Sequence, residues 1–435
     1  MGPEAIFYSL GILLVLVLLG THIAVALGLA SFVGVFLSYG DLNIALSILS
    51  STAYDSIRSH SLAVIPLFML MGEVLSRSGA ARDIYLMCNR VMRPVPGRLA
   101  AATVLANAGF ASVSGVAIAS AATFSRIAYP EMRRLGYQKS YALGVIAGSG
   151  SLGMLIPPSI LMIVWAILTE ASVGALFLGG VIPGIVLGLV FVLYCAMAAW
   201  RQPDLAPAGS PAPAENAAAG LVSAAALSAL VVVVLGGIWL GVFTPTEAAG
   251  FGVLGSLLIG WGKGMGRTAF MEAIFESGRS TAPILLLLIA GSMYSRMLAV
   301  SGGMGFVEEL FTGAGFGPFA TIVVMTLVWL LLGTIIDSIS GILLTLPIFF
   351  PVAMAAGIDE VAFAIYGIIV IEAGLLTPPL GLLIFTVKSA VPDPTVTQGE
   401  IFRGALPYWV LMLAVAAMIF VFPGLAAWLP GQVLG

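Results

Sequence analysis

The sequence predicts an all-α polytopic membrane protein built from two inverted repeats, each with a re-entrant helical hairpin and a helix broken at a Pro-Pro pair. Three observations predict it. The 435 residues are 60% hydrophobic and only 9% charged, whereas a soluble domain is about a quarter charged. Long segments carry no charge. Two short motifs recur in the same order in both halves.

The first apolar segment, 5–37, has no Asp, Glu, Lys or Arg. As one helix it would be roughly 50 Å long, against a hydrocarbon core of about 30 Å. It therefore reads as two spans, parting near Gly20-Thr21-His22. The same length argues against a cleaved signal peptide, whose apolar part is about 7–15 residues. Further apolar segments lie near 61–76, 99–125, 140–168, 174–199, 221–241, 246–262, 280–300, 316–356, 361–391 and 405–428. A Pro/Ala/Gly/Ser-rich linker, 201–220, divides the chain into halves 1–200 and 221–435. Stretches 41–60 and 265–279 read either as interfacial amphipathic helices or as loops. Cys88 and Cys195 make no disulfide framework, and His22 and His60 are too few for a Cys/His metal site.

Ser112-Val113-Ser114-Gly115 recurs as Ser338-Ile339-Ser340-Gly341. Gly153 through Pro157-Pro158 recurs as Gly374 through Pro378-Pro379. Charge placement then sets the topology, because Lys and Arg accumulate on cytoplasmic loops. Arg77, Arg82, Arg90, Arg93 and Arg98 precede 99–125, and Arg126, Arg133, Arg134 and Lys139 follow it. Both flanks belong on the cytoplasmic side, and 27 residues are too few for two spans of about 20. This segment enters, turns at Ser112–Gly115 and returns. The second hairpin, 316–356, is flanked by Glu308, Glu309, Asp359 and Glu360 and no nearby base. It is read as entering from the periplasm, with its tip at Asp337–Gly341, so that the hairpins oppose one another.

Backbone groups freed at mid-membrane persist only where they line a cavity or bind something. Serine hydroxyls, glycine carbonyls and a carboxylate suit a small hard cation, read as Na⁺ and no other metal. Asp337 stands alone among apolar residues, which makes it an ion-site candidate; the alternative is a carboxylate satisfied by turn amides. Pro157-Pro158 and Pro378-Pro379 are expected to split spanning helices beside each tip. Thr377 offers a further hydroxyl. Glu372 either supports its break or is hydrogen-bonded scaffold. Arg296 either meets a substrate carboxylate or snorkels to headgroups.

With these motifs in hand, the chain resembles the large membrane subunit (M subunit, DctM-like) of tripartite ATP-independent periplasmic (TRAP) transporters. The matching stretches are Ile65–Gly72, Ser112–Gly115, Gly153–Ser159, Phe243–Ala249, Gly333–Pro347 and Glu372–Gly381, in family order. His22 departs from a frequent family proline, and Val116-Ala117 from frequent small hydroxyl residues. The resemblance implies a bacterial inner-membrane permease working by an elevator mechanism. It implies as partners a small membrane Q subunit and a periplasmic substrate-binding P subunit, an organic acid as cargo and Na⁺ as coupling ion, with no cofactor and no nucleic acid. One Na⁺ site would use Ser112, Ser114, Gly115, Gly153 and Pro157. The other would use Asp337, Ser338, Ser340, Gly341, Gly374 and Thr377. Substrate would lie between the tips, near Ser114, Ser340, Thr377 and Arg296, with Glu372, Pro158, Pro378 and Pro379 in support. A stand-alone Na⁺/dicarboxylate carrier is the nearest alternative. An intramembrane serine protease is remote, since the nucleophile needs a base and no histidine follows His60.

Overall fold

A computed structural model describes residues 4–207, 217–313 and 315–434. These form twenty α-helices, with no strand among the described residues. The segment 5–37 parts as expected, into Glu4–Leu18 and Ile23–Tyr39, with left-handed Gly20 in the turn.

The repeat covers far more than the two motifs. Glu4–Leu18 and Ile23–Tyr39 are answered by Ala217–Trp239 and Pro245–Gly262. The first hairpin, Arg98–Ser114 and Ala117–Arg134, is answered by Pro318–Gly333 and Ser338–Ala355. The first broken helix, Lys139–Gly150 and Ile160–Thr169, is answered by Glu360–Gly374 and Leu382–Ala390, and Val173–Arg201 by Gln398–Val421. Left-handed glycines mark the same register. Gly20/Gly241, Gly40/Gly264, Gly79/Gly302, Gly97/Gly315 and Gly136/Gly357 pair at spacings of 218 to 224 residues. Among the described residues, Gly115 and Gly381 are the left-handed glycines outside these pairs.

This register corrects one reading. The Gly153/Gly374 motif sits at equivalent places, but the serine motif does not. Ser112–Gly115 closes the first arm of its hairpin, whereas Ser338–Gly341 opens the second arm of the other. The tip of the second hairpin is Thr334–Asp337, not Asp337–Gly341. The first hairpin is also longer than the apolar count suggested, whereas the second, Pro318 to Ala355, stays within 316–356. The first runs to Arg134 because its helix continues two turns past exposed Arg126, giving arms of about 26 Å.

Two other expectations are refined. Residues 42–58 form a helix capped by Asp41, but 265–279 is no separate element. It opens a 34-residue helix, Arg267–Val300, unbroken because nothing there matches the Ser59-His60 break of the first half. The linker is shorter than 201–220. Pro203–Leu205 forms a 3-10 turn whose Leu205 carbonyl accepts from Gln138 N at 2.9 Å, residues 208–216 lie outside the described residues, and 217–220 are already helical.

Seventeen of the helices pack in two groups, and Ala80–Val91, Ala217–Trp239 and Gly303–Gly313 bridge them. Glu4–Leu18, Ile23–Tyr39, Leu42–Arg58, Val64–Arg77, Pro245–Gly262 and Arg267–Val300 form one. Both hairpins and both broken helices form the other, with Val173–Arg201, Gln398–Val421 and Gly424–Val433. Within the second group the repeats interlock. The second arm of the first hairpin packs on Leu382–Ala390, and the second arm of the other on Ile160–Thr169. Small residues allow close approach of helices in a membrane: a methyl on Gly144 would fall 2.0 Å from the Gly404 carbonyl oxygen. Trp165, Trp329 and Phe363 fill the middle, with centroids 5.5–6.3 Å apart.

Both ends of the first hairpin lie together, since Leu99 N donates to Tyr137 Oη at 3.2 Å. Around them one charged face is knit by Arg77–Glu272 at 2.6 Å, the Lys263–Asp83 pair, Tyr129 Oη donating to Asp393 at 2.8 Å and Lys139 donating to Thr395 O at 2.8 Å. The ends of the second hairpin likewise meet, Pro318 and Gly357–Asp359 lining one cavity. Among the described residues, six helices are long and apolar enough to cross a membrane by length and composition. Ser338–Ala355 is one of them, so length alone does not separate hairpin arms from spans.

Candidate functional site: two junctions between hairpin tip and helix break

The first hairpin turns because Gly115 takes a left-handed conformation (φ 61°) and Val116 an extended one. The tip rests directly on the break. Ile160 N donates to the Gly115 carbonyl at 3.4 Å, a methyl on Gly115 would lie 3.0 Å from the Pro158 carbonyl oxygen, and one on Gly153 would lie 3.0 Å from Ala117 N and Cα. Ser159 caps the helix that resumes after Pro157-Pro158, its hydroxyl accepting from Met162 N and donating to Met154 O. The structure therefore gathers Gly115, Gly153, Pro157 and Pro158, with Ser114 buried beside them. Ser112 is spent locally, donating to Gly109 O at 2.8 Å. Sequence reasoning missed Ser120, whose hydroxyl lies 3.2 Å from that of Ser114. A spacing of 221, taken from Gly153 and Gly374, would have set Ser120 opposite Gly341.

The second junction is built alike and charged differently. Gly381 N donates to the Thr334 carbonyl at 3.3 Å. Asp337 is the N-cap of Ser338–Ala355: Oδ2 accepts from Ile339 N and Ser340 N, and Oδ1 from Ser340 Oγ. Ser338 Oγ donates to Glu372 Oε1 at 2.6 Å. Glu372 is 1% exposed, and its Oε2 has no hydrogen-bond partner. Thr377 Oγ1 donates to Ala373 O and accepts from Trp409 Nε1, each at 2.9 Å. Asp337, Ser338, Ser340, Glu372 and Gly374 thus meet at one place. A methyl on Gly341 would meet nothing within 4 Å. Pro378 and Pro379 are exposed whereas Pro157 and Pro158 are buried, because Val173–Arg201 covers the first break through Gly180 and Gly184. Arg296 is exposed on the long helix, and no hydrogen bond or ion pair among the described residues joins it to either tip.

Two tips resting on two breaks bring together hydroxyls, backbone carbonyls and a buried carboxylate oxygen without a hydrogen-bond partner. Residues 10–425 match the family described as the tripartite ATP-independent periplasmic transporter, DctM component. The chain belongs to this DctM family. It is a TRAP transporter large permease subunit and not an enzyme. It is 32% identical over 384 residues to the C4-dicarboxylate TRAP transporter large permease protein DctM of Pseudomonas aeruginosa, covering 87% of this chain and 88% of that one. Similar relatives are the sialic acid permease SiaM of Vibrio cholerae (29% identity; 87% and 88% covered) and the ectoine permease TeaC of Halomonas elongata (28%; 95% and 96%). The crystal structure of the Alcanivorax borkumensis YdaH transporter shares the fold at a TM-score of 0.63 and 17% identity, covering 92% of this chain and 91% of that one.

Proposed function

We propose that this DctM-family chain is the inner-membrane permease through which a Na⁺ gradient drives uptake of an organic acid delivered by a periplasmic substrate-binding protein. The observation that carries the reading is the pairing of tip and break in each half, with a buried, half-satisfied carboxylate at one of them. Desolvating a charge is costly unless it is paired, and a transported cation supplies that pairing transiently. One Na⁺ site lies among Ser112, Ser114, Gly115, Gly153 and Pro157. The other lies among Asp337, Ser338, Ser340, Gly341, Gly374 and Thr377. The fold gathers Ser114, Gly115, Gly153 and Pro157 at the first junction and Asp337, Ser338, Ser340 and Gly374 at the second, which supports both sets.

The re-entrant topology belongs to this proposal. The first hairpin opens on the basic face, which is cytoplasmic by its charge, and the second opens on the opposite side. The group holding hairpins and broken helices would slide against the other as an elevator, aided by a small membrane subunit. The carboxylate class follows from relatives named for C4-dicarboxylates and sialic acid.

The test is uptake into proteoliposomes with the small subunit and the binding protein present. An inward Na⁺ gradient should drive accumulation, and removing the binding protein should stop it. Transport that persists without that protein would favour a stand-alone Na⁺/dicarboxylate carrier instead.

A further inference from the structure

Two carboxylates meet at the second junction, and their surroundings differ. Asp337 spends both oxygens on its own helix start, with two backbone N–H groups on Oδ2 and the Ser340 hydroxyl on Oδ1. A carboxylate offers about four acceptor sites, so Asp337 has about one left. Glu372 accepts a single bond, from Ser338 Oγ, and its Oε2 is buried and unpartnered. It ends the apolar run of Glu360–Gly374, with no Lys or Arg in hydrogen-bonding or ion-pairing distance among the described residues. A buried carboxylate so placed calls for a positive partner.

We propose that Glu372, rather than Asp337, supplies the principal anionic ligand for the coupling cation at the second junction. Asp337 is the positioning residue that shapes the tip through its cap. Ser338 links the two: it opens the helix that Asp337 caps, and its hydroxyl donates to Glu372 Oε1, leaving Oε2 buried without a hydrogen-bond partner. The Thr377 hydroxyl keeps one lone pair free after its bonds to Ala373 and Trp409, and Trp409 places an indole against that group. The inference rests on the Na⁺-coupled reading above.

The experiment measures thermal unfolding of the purified full-length permease, in complex with its small subunit, against NaCl with choline chloride holding ionic strength. Wild type should be stabilised by Na⁺ with a defined midpoint. Glu372→Gln should raise that midpoint by about 30-fold or more, whereas Asp337→Asn should shift it less than about threefold. Should Glu372→Gln not fold, Glu372→Asp carries the same test, with a weakened but measurable midpoint expected. A Na⁺ response that survives Glu372→Gln or Glu372→Asp unchanged overturns the assignment alone. A wild-type protein indifferent to Na⁺ overturns the coupling reading together with it.

Discussion

Gly333 and Gly374 meet backbone to backbone: a methyl on Gly374 would lie 2.9 Å from Gly333 Cα and 3.0 Å from the Trp329 carbonyl oxygen. The end of the second hairpin's first arm is thereby seated on the end of the helix that breaks. Gly374→Ala should push the tip away at a cost of about 1–3 kcal/mol, the range for overpacking. Reduced thermal stability together with lost uptake is the expected result. Wild-type values for both would show that the junction has slack.

Asp337 caps the arm that follows the tip. Asp337→Ala should lower stability by about 1 kcal/mol, and Asp337→Asn should largely restore it, because Asn caps as well as Asp. The unfolding temperature of the two variants, measured without Na⁺, checks this. Equal loss in both would tie stability to the charge and not to the cap.

The pattern of legibility follows from physics. Proline and glycine chemistry is local, so the Gly153 and Gly374 breaks and the Gly20 turn could be read from the sequence. The serine motif misled because four small residues suit either side of a helical turn. At Ser112–Gly115 the left-handed glycine ends a helix, whereas at Ser338–Gly341 the preceding Asp337 starts one. The sequence leaves Glu372 open between support and scaffold because its partner, Ser338, lies 34 residues away, and which oxygen is left over is a matter of packing. Trp409 became visible only through tertiary contact.

Hairpin orientation is open to labelling. Cys88 and Cys195 are buried, so a single added thiol reports cleanly. Arg82→Cys should react only with reagent supplied from the cytoplasm, and Ala355→Cys, at the open end of the second hairpin, only from the periplasm. Reaction of both from one side would contradict opposed hairpins.

In the loop after Leu382–Ala390, Asp393 ties the end of the second broken helix to the first hairpin through Tyr129. Bonds from the Thr395 and Tyr129 hydroxyls hold its carboxyl down at about 2, below the unfolded value of about 3.9. A depressed carboxyl contributes stability that is fully present above the unfolded value and is lost as pH falls through the folded one. Wild type should therefore lose stability between about pH 4 and pH 2 by a component that Asp393→Asn lacks. Tyr129→Phe should shrink that component. Parallel pH profiles of unfolding for wild type and Asp393→Asn would contradict the tie.

The most direct test of the account is accumulation of a radiolabelled organic acid in proteoliposomes holding the permease and its small subunit, with the cognate binding protein and an imposed Na⁺ gradient. The account predicts uptake against the substrate gradient that needs both Na⁺ and the binding protein and is lost in Glu372→Gln. Uptake of equal rate and extent with choline in place of Na⁺ would contradict it.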